Sequence, residues 1–374
     1  MSSPRPAGLH GGPGGRPLRI VVVLPGVSRR PVGGFRVPYE YANRMARLGH
    51  DVVVHHELPE AGPLRNASVV LNRLPRSFVT RRTTWFELDS SVRIRIGPPR
   101  AHRTSRNPPD VYLLTSWRLA LAVGTRYPPE KVVQLVHDYE LWADPDEARR
   151  GLMRTAFGHG AVRYVGTSSA VVEMLRECGT TPSAVIHAGI DRDVYVDEGR
   201  DVERANRVGV LLRSSPHKGT DVALKAFALL RGEGVDFQPI GGGTTPGHPD
   251  VTFWPAPDDQ SMRAFYNSLR VFVLPSRQEA WGLPALEAMA CGAAVVLVDN
   301  VGCRDFADHE HNCLLVPPGR PDLLARSVER LLADDSLRRS LVLEGKRTVQ
   351  RMDWDASVRA LLGELERASV SRDP

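Results

Sequence analysis

A chain of 374 residues that is 42% hydrophobic and 25% charged has the composition of an ordinary globular protein, and its length predicts two cores rather than one. No apolar run approaches the ~20 residues of a membrane-spanning helix. Residues 1–17, rich in Gly, Pro and Ser and lacking an apolar stretch, read as a disordered tail rather than a signal peptide, so a cytoplasmic protein is expected.

The net charge of +6 is carried by arginine, since lysine occurs only at Lys131, Lys218, Lys225 and Lys346. Between Arg65 and Arg106 ten arginines stand against Glu87 and Asp89, with Phe78, Trp85 and Phe86 interleaved. Such a patch favours an anionic partner, such as the inner face of a membrane, or else is plain solvated surface. No nucleic-acid partner is expected. Cys178, Cys291, Cys303 and Cys313 have no C-x-x-C spacing and read as reduced, structural thiols.

In chain order, LRIVVVLPG predicts a buried strand, followed by the loop SRRPVGGF, the helical VPYEYANRMARLGH and a second strand, DVVVHHE. The same alternation recurs at VYLLTS, KVVQLVHDYE and VRYVGTSSAVVEMLRECG, which argues for a doubly wound α/β domain. After the turn-rich VIHAGIDRDVYVDEGRDVERANR the pattern restarts at VGVLLRSSPHKG and runs to the helix LVLEGKRTVQRM. This places the first domain at 18–198 and the second at 199–352. Residues 353–374 form a last helix suited to packing back across the interface.

The segment VFVLPSRQEAWGLPALEAMACGAAVVLV reads as one strand, helix, strand unit. Pro284 suits the first turn of the helix, where Glu287 is expected, and Gly292 suits its end; Glu279 falls in the loop before it. Both acids therefore face the crevice at the carboxyl ends of the strands. Taken singly, Glu287 could merely complement the helix dipole and Glu279 be a solvated loop acid. Arg213 and Lys218 also follow a strand, ahead of a helix for which Thr220 or Asp221 is the expected N-cap. Two cations at a helix N-terminus suit a diphosphate, although loose surface cations would read the same way.

EAWGLPALEAMACGAAVV resembles the E-x7-E signature of glycosyltransferase family 4, and RSSPHKG is similar to that family's phosphate-binding Arg and Lys segment. FYNSLRVFVLPS, VIHAGID and VGGFRVPYEYANRMARLGHDV resemble its approach to the signature, its interdomain turn and its N-terminal glycine loop. VHDYELW resembles members that act on rhamnose-containing polysaccharides. The chain departs from the family pattern at Ala280-Trp281, where Gly-Phe is usual, and at Cys313, where a glycine is common; Trp281 is expected to reshape the sugar pocket.

The resemblance implies an α/β chain of GT-B fold, two Rossmann-like domains facing a cleft, that transfers a hexose or deoxyhexose from a nucleotide-diphosphate sugar with retention. Glu279 would bind the donor sugar and Glu287 the ribose. Arg213 and Lys218 would neutralise the departing diphosphate. His137 would stand beside the sugar, although a structural strand-end histidine would look the same. Gly33 and Gly34 would admit the diphosphate and acceptor closely. Ala280, Trp281, Gly282 and Leu283 complete the expected donor-binding loop. The acceptor would be a polysaccharide, lipid-linked sugar or natural product.

No cofactor or metal is expected. Asp191-Arg-Asp193 and Asp144-Pro-Asp146 have the D-x-D form but fit turns, and His309-Glu-His311 matches no zinc spacing. A dinucleotide oxidoreductase lacks its G-x-G-x-x-G. Two rivals stay open: a nucleotide-sugar epimerase of the same fold, which needs no acceptor, and a non-enzymatic binder of anionic polymer or membrane.

Overall fold

The computed structural model describes residues 16–28, 33–58, 85–98, 108–137, 146–199, 206–243, 247–256 and 258–370. Two all-parallel sheets carry the chain. The first has the order β3-β2-β1-β4-β5-β6-β7, formed by β1 (Arg19–Pro25), β2 (Asp51–Glu57), β3 (Arg93–Gly97), β4 (Val111–Leu114), β5 (Val132–Val136), β6 (Arg163–Gly166) and β7 (Ala184–Val185). The second has the order β10-β9-β8-β11-β12-β13, formed by β8 (Arg207–Leu211), β9 (Gln238–Gly243), β10 (Thr252–Pro255), β11 (Val271–Leu274), β12 (Ala294–Val298) and β13 (Leu314–Val316).

The central strands are buried along nearly their whole length, as β-branched runs between two helical layers must be. In each sheet the strand order reverses once, between β1 and β4 and between β8 and β11. A crevice opens at such a reversal, beyond the carboxyl ends of the strands. The predicted site residues lie in the loops that leave β1, β5, β8 and β11 or in the helices that follow them.

The helices used below are α1 (Gly33–Arg47), α2 (Trp117–Ala120), α3 (Glu147–Ala156), α4 (Ser169–Glu177), α5 (Thr220–Gly232), α6 (Asp259–Asn267), α7 (Leu283–Ala290), α8 (Pro321–Ala333), α9 (Asp335–Gln350) and α10 (Trp354–Ser369). Helix α10 packs back on the first domain. Ser357 donates to the His187 carbonyl at 2.6 Å, Arg163 pairs with the buried Glu364 at 2.6 Å, and Trp354 meets Tyr41 edge-on at 5.2 Å. One apolar cluster runs from the first sheet through Ile186, Ile190 and Trp354 to Trp281 and Leu286 in the second domain. No helix among the described residues is long and apolar enough to cross a membrane.

Most of the arginine patch, residues 59–84 and 99–107, lies outside the described residues. Its described aromatic residues differ from expectation. Trp85 and Phe86 pack on Tyr39 of α1 at 5.7 and 5.2 Å, and the Trp85 indole donates to the Ser28 carbonyl at 3.1 Å. Both rings are partly buried against the first domain's core through α1, as large aromatic side chains favour.

Candidate active site

Helix α1 starts at Gly33, earlier than the sequence suggests, so both glycines lie in its first turn. Pro38, inside the helix, has no N–H and leaves the Gly34 carbonyl without its helical donor. A Cβ on Gly34 would come within 3.2 Å of His137 Nε2. The glycine thus lets the histidine at the end of β5 lie directly against the start of α1, at the mouth of the crevice.

Across the crevice, β8 runs into Arg213 and a 3-10 turn, Pro216–Lys218. The expected N-cap of α5 is corrected by the structure. Gly219, at φ 65°, occupies that place, and no side chain caps the helix. A Cβ there would collide with the Pro275 carbonyl at the exit of β11, which fixes the residue as glycine and draws the two loops together. Thr220 is engaged elsewhere: its hydroxyl accepts from the Arg213 amide at 3.1 Å and donates to the Arg213 carbonyl at 2.9 Å. Asp221 takes a bidentate pair from Arg277 at 3.1 and 2.9 Å, and the Arg277 amide donates to the His217 carbonyl at 2.8 Å.

Lys218 Nζ reaches Glu279 Oε2 at 3.0 Å, and both side chains are largely buried. Glu279 is held from behind by Gly302, where any side chain would collide with the Glu279 carbonyl. Gly282, at φ 89°, then turns the chain into α7, whose N-terminus also lacks a side-chain cap. The left-handed turn delays the helix start to Leu283, so Glu287 sits on its second turn and not its first. The start of α7 thus follows closely on Glu279, the partner of Lys218, and a helix N-terminus there suits an anion.

Glu287 is buried and accepts from the Tyr266 hydroxyl at 3.0 Å. Burial pushes its carboxyl above the ordinary range; Arg36 opposes that rise, Asp259 adds to it, and Tyr266 and Arg213 oppose it. Arg36, absent from the sequence-derived set, lies 3.8 Å from Glu287 Oε1 and binds both Asp259 oxygens at 2.7 and 3.1 Å. It also donates to the Tyr195 hydroxyl at 3.1 Å. The only sequence signal for Arg36 is its place two residues after the glycine pair.

Trp281 corrects a second expectation. Its indole donates to the Ala188 carbonyl at 3.1 Å, stacks on His187 at 4.3 Å and meets Phe306 at 5.4 Å. The ring is thus buried at the connection between the domains, whereas the sequence suggests a pocket wall. Asp305 Oδ2 seals the same region, accepting from the Ser169 amide at 2.8 Å and lying 2.7 Å from His187 Nε2. Asp191 closes an interdomain turn, accepting from the amides of Asp193 and Val194 at 3.1 and 3.3 Å. Asp146 caps α3, and Asp144 lies outside the described residues. Cys291, Cys303 and Cys313 are buried and Cys178 partly exposed, and none of the four is in a disulfide.

Two cations, two acids and two uncapped helix ends around one crevice can bind a diphosphate together with hydroxyl-bearing groups on either side of it. Residues 32–194 match the family model described as Glycosyltransferase Family 4, and residues 205–334 match that described as Glycosyl transferases group 1. A D-inositol 3-phosphate glycosyltransferase of Jonesia denitrificans is 32% identical over 222 residues, covering 50% of this chain and 52% of that protein. The chain spans about half the length of the curated relatives it matches.

Among solved structures, sucrose-phosphate synthase from Thermosynechococcus elongatus superposes with a TM-score of 0.71 at 18% identity, covering 93% of this chain and 98% of the other. Anabaena HepE, solved with UDP and glucose, gives 0.72 at 16%, covering 93% and 99%. The fold is the GT-B arrangement, and the chain belongs to glycosyltransferase family 4.

Proposed function

We propose that this protein is a retaining glycosyltransferase that moves a hexose or deoxyhexose from a nucleotide-diphosphate sugar to a carbohydrate, lipid-linked or small-molecule acceptor, without a metal or other cofactor. The observation that carries this reading is the Lys218–Glu279 contact at 3.0 Å beneath two uncapped helix N-termini. Such a pair sets a cation for the diphosphate beside a carboxylate for sugar hydroxyls. The curated relatives support the reaction class by their names, and HepE was solved with UDP and glucose.

As the glycosidic bond to the diphosphate breaks, negative charge grows on the phosphate oxygens. Arg213, Lys218 and the N-terminal ends of α5 and α7 would offset that charge with little reorganisation. Glu279 holds the sugar and Glu287 the ribose. His137, pressed against Gly34, lies on the acceptor side, where it can steady the sugar as its bond to phosphate lengthens. The acceptor attacks from the face the diphosphate leaves, and a departing phosphate oxygen takes the acceptor proton. This reading works in the cytoplasm, with the arginines between Arg65 and Arg106 as the means of reaching an anionic membrane face.

The test is incubation with a panel of nucleotide-diphosphate sugars and candidate acceptors in EDTA, followed by NMR of the product anomeric proton. A product with the donor's anomeric configuration supports the reading. An inverted product would refute retention. A converted sugar without acceptor would establish the epimerase instead.

A further inference from the structure

Glu287 is the carboxylate assigned above to the ribose, yet its counter-charge comes from the other domain. Arg36 stands on α1, two residues past Gly34, and its largely buried guanidinium crosses the cleft to Asp259 at 2.7 and 3.1 Å and to Glu287 at 3.8 Å. Tyr195, on the chain between the domains, donates its hydroxyl to Asp259 Oδ1 at 3.2 Å while accepting from Arg36 at 3.1 Å. Asp259 opens α6, whose Tyr266 donates to the other Glu287 oxygen at 3.0 Å. The groups facing Glu287 are therefore Arg36 from α1, Tyr195 from the interdomain chain, Asp259 and Tyr266 from α6, and Arg213 from the exit of β8.

With the two domains packed together, Glu287 is a buried carboxylate beside a second acid, Asp259, and its other polar support among the described residues is the Tyr266 hydroxyl and the more distant Arg213. A buried carboxylate without a close cation is costly and tends to take up a proton, and a protonated acid loses one of its two acceptor oxygens. Arg36 removes that cost only while the two domains are together. We propose that Arg36 is a positioning residue of the donor site: it balances the charge of Glu287 across the cleft, so that nucleotide binding by the second domain is coupled to closure onto the first. This rests on Glu287 as the ribose partner and adds a residue outside the E-x7-E segment and outside the site residues expected from the sequence.

The test is the pH dependence of nucleotide affinity. Uridine, adenosine, guanosine and thymidine diphosphates are titrated calorimetrically into the intact protein at pH 8, and the tightest is carried down to pH 5.5 with Arg36→Met, Arg36→Lys and Asp259→Asn. Titration of the ligand's own phosphate cancels in the ratio of variant Kd to wild-type Kd. That ratio should rise about tenfold with falling pH for Arg36→Met, the change expected when a site pKa moves by one unit. It should stay flat for Arg36→Lys, which keeps the charge.

For Asp259→Asn, on a half-exposed side chain, the ratio should stay level or fall, because a like charge has been removed. A flat ratio for Arg36→Met would make Arg36 a simple staple and overturn the proposal, as would a parallel rise for Arg36→Lys. Should Arg36→Met fail to fold, a rising ratio for Asp259→Asn contradicts the proposal independently. Absence of any nucleotide binding by the wild type would overturn the functional reading and this inference with it, an outcome distinct from a flat ratio.

Discussion

Lys218 and Glu279 meet at 3.0 Å although 61 residues separate them, and the contact exists because Gly219 admits the β11 exit to within touching distance of the β8 loop. The ion pair is partly shielded, and in the proposed reaction its two members would serve opposite ends of the same bond, the cation taking the leaving diphosphate and the carboxylate the sugar. Removing either cation at this crevice should therefore act on the chemical step. Lys218→Ala and Arg213→Ala are each expected to lower kcat about 100-fold, the scale of losing one preorganised charge partner. Initial rates at saturating donor check this; near-normal rates in either variant would remove that residue from the mechanism.

The two acids should separate kinetically. Glu279→Gln keeps the fold of the loop but loses the charge beside the reacting sugar, so kcat should fall while KM for donor changes little. Glu287→Ala should instead raise donor KM, and nucleoside diphosphate Kd with it, because the ribose lies away from the breaking bond. Equal effects of both substitutions on kcat would merge the two roles.

Trp281→Phe should cost stability without changing the donor contacts. The substitution keeps the ring stack on His187 but leaves the Ala188 carbonyl without its indole donor. An unsatisfied buried acceptor costs about 1–2 kcal/mol. A fall in Tm of a few degrees is expected, with donor Kd within about twofold of wild type. A large loss of affinity with unchanged Tm would return the indole to the sugar pocket.

Acid should destabilise the fold through β2. The His56 Nδ1 position donates to the Gly26 carbonyl at 2.8 Å, which leaves Nε2 to accept from the Tyr39 hydroxyl at 3.3 Å, an arrangement that suits the neutral ring. Burial pushes both His55 and His56 down to about 4. In the unfolded chain the same rings protonate near pH 6.5, so the unfolded state takes up protons first as pH falls. The stability they contribute is full above about 6.5 and drains away between there and about 4. Urea midpoints should decline across that window and decline less in His56→Gln; a variant slope equal to wild type would contradict this.

Much of this layout is legible in the residues. The parallel sheets follow from short apolar β-branched strands alternating with helical periodicity, and Glu279, Glu287, Arg213 and Lys218 follow from their places after those strands. What the sequence hides is tertiary. The αL turns at Gly219 and Gly282 shift the starts of α5 and α7, so Thr220 is no cap and Glu287 lies a turn later than expected. Trp281 reads as pocket-lining because its sequence neighbours do, yet its indole finds a carbonyl 93 residues away. Arg36 looks like one of many arginines until the second domain brings Asp259 and Glu287 to it. β3 is missed because RIRIG is an edge strand that alternates charge with isoleucine inside an arginine-rich stretch.

The central claim is that fixed cations and helix ends, and not a divalent ion, hold the diphosphate in this crevice. Its most direct measurement is calorimetric titration of nucleoside diphosphates in excess EDTA, with wild type and Lys218→Ala side by side. The account predicts one-to-one binding of at least one nucleotide to the wild type in EDTA, weakened about tenfold or more in Lys218→Ala. Binding that appears only after magnesium or manganese is restored, or an equal affinity in Lys218→Ala, would contradict it.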